Sequence, residues 1–121
     1  MIDLHNHLLP GIDDGAEDLA MALEMARMAV ADGIHTVACT PHIYPGLYEN
    51  TGEGIRAAIA ALQAELDAAG IALKLVEGAD VHLAPGLVDG IADRSVPSWV
   101  NPSARATALE PALVAAACRP T

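Results

Sequence analysis

The chain has 121 residues, enough for one domain with a modest core, and 53% of them are hydrophobic, which excludes a disordered polypeptide. Its net charge of −10 speaks against nucleic acid or an anionic membrane surface as a partner. With no Phe, one Trp and two Tyr, the core must be built from Ala, Leu, Val, Ile and Met.

The first predicted element is a short strand over residues 1–5, which leads into Asp3-Leu4-His5-Asn6-His7. In an extended chain, residues two apart face the same way, so His5 and His7 aim two imidazoles at one point. Asp3, His5 and His7 also interrupt any apolar N-terminal stretch, so no signal peptide is expected. Pro10, Gly11 and Gly15 make the next stretch a loop, and it carries Asp13 and Asp14. From Asp18 to Asp32, Leu19, Ala22, Leu23, Ala26, Ala29 and Val30 recur at helical spacing, and Gly33 stops the helix. Residues 36–40 read as a second strand ended by Pro41, followed by a loop to Glu49 that carries His42, Tyr44 and Tyr48. Asn50 and Glu53 have the spacing of a capping box. The helix that follows puts Ile55, Ile59, Leu62 and Leu66 on one face and ends at Gly70. A third strand over 72–76 leads to Glu77-Gly78-Ala79-Asp80. Residues 94–121 hold few charges and many alanines and do not continue this pattern.

Strand, helix, strand, helix, strand predicts an α/β fold with parallel strands. In such folds ligands collect at the C-terminal ends of the strands, where His5, His7, His42 and Asp80 all fall. Imidazole and carboxylate donors suit a borderline divalent ion such as Mn, Fe or Zn. The expected chemistry is hydrolysis by a metal-activated water, with the metal also neutralising charge on a phosphoryl oxygen. The expected metal set is His5, His7, Asp14, His42 and Asp80. Asp13 and Glu110 are further candidates. Asp13 also suits a turn or a supporting role, and Asp14 could instead shape the Asp-Gly turn. Tyr44 and Tyr48 either line the mouth of a substrate pocket or cover a core edge. His35 and His82 are expected to be structural or exposed.

Other schemes fit poorly. Cys39 lies in an apolar run and has Pro45 six residues on, and Cys118 is followed by only three residues, so neither starts an anion-binding Cys…Arg loop. The two cysteines form no C-x-x-C pair and no disulfide framework. No phosphate-cradling glycine loop and no G-x-S-x-G elbow occurs. No apolar run of about 18 residues is present, so no membrane span is expected, and the default setting is a reducing cytoplasm.

Residues 1–16 (MIDLHNHLLPGIDDGA), Ala-Asp-Gly-Ile at 31–34 and Thr-Pro-His at 40–42 resemble the polymerase-and-histidinol-phosphatase (PHP) superfamily. Within it, they resemble the bacterial capsular and exopolysaccharide tyrosine-protein phosphatases of the CpsB/YwqE type. The string His-x-His-x-Leu-Pro-Gly-x-Asp-Asp-Gly is specific to that branch. The resemblance covers residues 1–93 and implies part of a distorted β/α barrel with a cluster of metals, usually manganese, at its C-terminal face. It also implies hydrolysis of phosphotyrosine on the bacterial kinases that control polysaccharide export. By this resemblance His5 and His7 are the first metal-binding pair, Asp14 the acid of the Asp-Gly turn, and His42 the histidine after the second strand. Asp80 stands where the family usually has Glu, and Glu110 corresponds to a later bridging Glu.

The family's His-Pro-Glu segment and final Asp-x-His pair are missing, and a β/α barrel usually needs ~200 residues or more. The expected organisation is therefore a partial PHP domain over 1–93 and a divergent tail over 94–121, left by a truncated or frameshifted reading frame or poorly folded. Two alternatives stand beside tyrosine phosphatase. One is a different PHP phosphoesterase, acting on histidinol phosphate or a nucleotide. The other is a non-catalytic metal-binding remnant. The missing half of the barrel also predicts an uncovered sheet side, visible as an apolar patch or a homo-oligomer contact.

Overall fold

The computed structural model describes residues 1–44, 46–82, 87–93, 96–97 and 118–119. Strand β1 spans Ile2–Asn6, helix α1 Leu19–Ala31, β2 Thr36–Cys39, β3 His42–Ile43 and helix α2 Gly52–Ala68. Then come β4 Lys74–Glu77, β5 Asp80–His82, a short helix α3 Leu87–Ala92 and β6 Cys118–Arg119. The first three predicted strands are adjacent and parallel in the order β1-β2-β4. A second parallel set, β3-β5-β6, continues beyond their C-terminal ends.

The expected loop from Pro41 to Glu49 thus begins with two more residues of strand, and Asp80 opens a strand instead of closing a loop. Pro41 has no N–H to give, so the ladder breaks there. It resumes when the Asp80 amide donates to the Pro41 carbonyl at 2.9 Å. At the top of β1 the buried Thr40 takes over the pairing. Its amide donates to the Asn6 carbonyl at 2.8 Å, and its hydroxyl accepts from the Asn6 amide at 2.9 Å.

Both long helices end in the same way. Gly33 (φ 87°) and Gly70 (φ 71°) take the left-handed conformation that a side chain would oppose. In each case the next residue, Ile34 or Ile71, donates back to the helix, to Ala29 and Leu66 respectively, which is the Schellman arrangement. Asp18 caps α1 by accepting from the Met21 amide. The cap of α2 is Thr51, which accepts from the Gly54 amide, and not Asn50 as the capping-box spacing suggested.

One core joins these parts. Leu8, Leu9 and Ala16 after β1 meet Ala22 and Ala26 of α1, Val37 and Cys39 of β2, Ile55, Leu62 and Leu66 of α2, and Leu73 and Leu75 at β4. Cys39 is fully buried in it and free, and burial pushes its thiol up to about 12. β1 is an edge strand of its sheet among the described residues; Ile2 and Leu4 on it, and Met1 before it, are exposed. Of the tail predicted to diverge, Cys118–Arg119 runs parallel to β5; most of the tail, Glu110 included, lies outside the described residues.

Candidate metal centre

The site is built where the first two strands end. His5 is in β1, and His7 follows one residue after it. The pairing of β1 with β2 is irregular between Asp3 and Asn6, on the stretch that bears His5. Such bulges bend a strand and re-aim its side chains. The outcome is that His5 Nε2 and His7 Nε2 stand 3.2 Å apart.

After His7 the chain turns back on itself. Gly15 lies so close to His7 that a Cβ there would fall 2.1 Å from the His7 carbonyl oxygen and 2.5 Å from the His7 Cβ. Only glycine permits that approach. The Ala16 amide then donates to the His7 carbonyl at 3.1 Å. Asp13, between the two, has a buried side chain that accepts at both oxygens. Its Oδ1 takes the Gly15 amide at 2.9 Å, and its Oδ2 takes His7 Nδ1 at 2.9 Å and the His42 amide at 3.0 Å. Burial pushes the Asp13 carboxyl up, but the bonds from His7 and the two amides, with the His7 charge, more than offset this and leave it below the ordinary carboxylate value. Accepting at 2.9 Å from His7 Nδ1, the Asp13 carboxylate favours a proton on Nδ1; when the ring is neutral, Nε2 then carries the lone pair, directed towards His5.

His42, opening β3, stacks on two rings and has a carboxylate oxygen near each ring nitrogen. Its ring stacks on His7 (centroids 4.5 Å apart) and on Tyr48 (5.6 Å). Its Nε2 lies 3.2 Å from Asp14 Oδ1 and its Nδ1 3.4 Å from Asp80 Oδ2. Asp80, 97% buried, comes from the start of β5, and its Oδ2 also lies 3.7 Å from His5 Nε2 and 3.8 Å from His7 Nε2. Asp14 is exposed at the rim. The Asn50 amide nitrogen reaches across, donating to the Ile12 carbonyl at 2.9 Å and to the His42 carbonyl at 2.8 Å.

All five residues of the expected metal set are therefore brought together. Two groups have donor atoms within 4.8 Å of one another: His7, Asp13, Asp14 and His42, and His5, His7 and Asp80. The donor set fits a divalent ion. Ligands bound at about 2.0–2.2 Å sit roughly 3.0–3.5 Å from their neighbours, and 3.2 Å separates His5 from His7. A carboxylate buried among three imidazoles supplies the negative charge that such an ion needs. Asp13 is occupied by three N–H donors, which suits the turn-and-support reading. His35 is exposed, with Nδ1 2.9 Å from Thr36 Oγ1, as expected. Tyr48 packs on His42, and Tyr44 is partly exposed beside it in a tight turn closed by reciprocal Tyr44–Tyr48 backbone bonds. Sequence reasoning missed the reach of Asn50 and the role of the Thr40 hydroxyl. The Asn50 acceptors lie 8 and 38 residues away, so no local pattern announces them.

Comparison with known proteins identifies the family. The family model for capsular polysaccharide synthesis proteins CpsB/CapC matches residues 1–102. The tyrosine-protein phosphatase YwqE of Bacillus subtilis is 39% identical over 96 residues, 79% of this chain and 38% of its own length. The putative tyrosine-protein phosphatase CapC of Staphylococcus aureus is 25% identical over 96 residues, again 79% of this chain and 38% of its own. Among solved structures, a chain from the study of B. subtilis YwqE and Streptococcus pneumoniae CpsB, described as metal-dependent tyrosine phosphatases, matches with a TM-score of 0.75 and 38% identity. That match covers 79% of this chain and 39% of the other. The chain thus spans about two fifths of the length of these relatives, and it belongs to the CpsB/CapC family of capsular polysaccharide synthesis proteins.

Proposed function

We propose that this chain carries one part of the metal centre of a metal-dependent phosphatase that hydrolyses phosphotyrosine on proteins. His5, His7, Asp14, His42 and Asp80 are the ligands, and manganese is the metal. The phosphoprotein is a bacterial tyrosine kinase that controls polysaccharide synthesis, and the setting is the cytoplasm. No helix among the described residues is long and apolar enough to cross a membrane. The observation that carries the reading is the convergence of three imidazoles on the buried Asp80 carboxylate, 3.4–3.8 Å from each. The names of the relatives, tyrosine-protein phosphatases, support the substrate class.

A divalent ion held there would polarise a phosphoryl oxygen and acidify a water molecule. The chain's own residues do the rest. Asp13 keeps the proton of His7 on Nδ1, so that Nε2 is available as a donor. Gly15 lets the acidic turn lie against His7. Tyr48 holds the His42 ring by stacking, and Tyr44 stands at the rim, where a substrate ring would pass.

The second reading is a non-catalytic metal-binding remnant, in which the same donor groups hold an ion without turnover. The experiment is a Mn titration with phosphotyrosine peptide, comparing wild type, His5→Ala and His7→Ala. We expect weak metal binding and little turnover, because a two- or three-metal site needs closed coordination. Robust turnover that vanishes in both variants would establish that these residues alone suffice. Equal background in all three would favour the remnant.

A further inference from the structure

We propose that Asn50 is a positioning residue for the metal centre: its side-chain amide ties the acidic turn to the His42 strand and so sets the spacing between Asp14 and His42. The inference rests on the metal-centre reading above. Asn50 Nδ2 has two hydrogens, and both are spent on backbone carbonyls of the two segments that carry candidate ligands. One goes to Ile12, immediately before Asp13 and Asp14, at 2.9 Å, and the other to His42 at 2.8 Å. The amide is half-buried, as are Ile12 and His42.

A second tie runs between the same two segments: Asp13 Oδ2 accepts from the His42 amide at 3.0 Å. The backbone of His42 is therefore gripped at its N–H by the acidic turn and at its C=O by Asn50. Between these grips the His42 ring meets Asp14 at 3.2 Å. Asp14 itself is exposed; the turn that carries it is anchored to His7 by Ala16 and Asp13, and to the His42 strand by the two ties just described. Without the Asn50 bridge, the carbonyl side of His42 would lose its tie to the acidic turn, and the amide side would keep the Asp13 bond.

Few residues can do this. The bridge needs two N–H donors on a short stem. Aspartate would turn an anionic oxygen onto two carbonyl oxygens, and serine offers one donor and a shorter reach. The Asn50 side chain does not cap the helix behind it; that cap is the neighbouring Thr51. That separation makes a clean control possible.

The test is binding of Mn(II) to the full chain, followed by the electron paramagnetic signal of free Mn(II), together with the visible spectrum of the Co(II) form. Wild type, Asn50→Asp, Asn50→Ser, Thr51→Ala and Asp14→Ala are compared, with melting temperatures read alongside. Loss of a group that orients ligands should weaken Mn(II) by about tenfold to a hundredfold in both Asn50 variants and alter the Co(II) bands. Thr51→Ala, which removes the helix cap but leaves the bridge, should lower the melting temperature and keep affinity within about twofold. In the Asp14→Ala background, Asn50→Ser should cost much less than alone, because the two share one effect. Wild-type affinity in either Asn50 variant overturns the proposal. So does a loss in Thr51→Ala equal to that in the Asn50 variants, which would make it a matter of general stability. If wild type binds neither ion, the metal-centre reading falls, and the proposal with it.

Discussion

Glycine at 15 and aspartate at 13 decide whether the imidazoles meet. A methyl group at 15 cannot coexist with the His7 backbone at the observed separation. Gly15→Ala should therefore move the turn and cost several kcal/mol, on the order of the largest single-residue losses. Urea unfolding would measure it, and a loss under about 0.5 kcal/mol would contradict the packing described. Asp13 has a second consequence. Its carboxyl titrates lower in the folded chain than its ordinary 3.8, so its contribution is fully present above that value. It is lost as the pH falls through the depressed folded value. Asp13→Asn should flatten this acid limb of the stability curve, and an unchanged limb would count against the hydrogen-bond network. Cys39 shows the opposite direction: burial raises its thiol to about 12, so it should resist alkylation at pH 8 until the chain is unfolded in urea. Peptide mass spectrometry would locate any label. At this scale the convergence of His5, His7, Asp14 and His42 was legible from strand ends, the acidic turn and the family resemblance, whereas Asp80 was placed in a loop and in fact opens β5. Asn50 was not legible, because its side chain serves distant carbonyls.

The helices and strands owe their limits to a few capping and breaking residues. Asp18, Gly33 and Gly70 fall where their chemistry predicts, so α1 and the end of α2 could be read from the sequence. The start of α2 could not: Asn50 and Thr51 are both good caps, and only tertiary contacts decide that Asn50 turns away to the acidic turn. The continuation of the sheet as β3 and β5 was hidden for a similar reason. Pro41 marks a break, and nothing local says that pairing resumes one residue later. Leu66 gives the element-scale prediction. It is fully buried between α2 and the sheet, so Leu66→Ala should cost about 2–5 kcal/mol in denaturant unfolding. A smaller loss would mean that α2 is not seated as described.

For the whole molecule, what matters is how much of a metal site two fifths of a relative's length can hold. The parallel order β1-β2-β4 brings three histidines and two acids to one end of the sheet, and helices α1 and α2 share its core. The same architecture leaves Ile2 and Leu4 exposed on the edge strand β1. Lysine at both positions should reduce concentration-dependent association in sedimentation velocity, as charges on an edge strand do. No change would mean that this edge is not adhesive. The central claim is the metal centre itself, and His7 tests it best because it belongs to both candidate groups. The direct measurement is a Mn(II) titration of the full chain read by the paramagnetic signal of the free ion, wild type against His7→Ala. Saturable, weak uptake by wild type that is lost in His7→Ala is the predicted result, and no uptake, or uptake unchanged by the substitution, would contradict it.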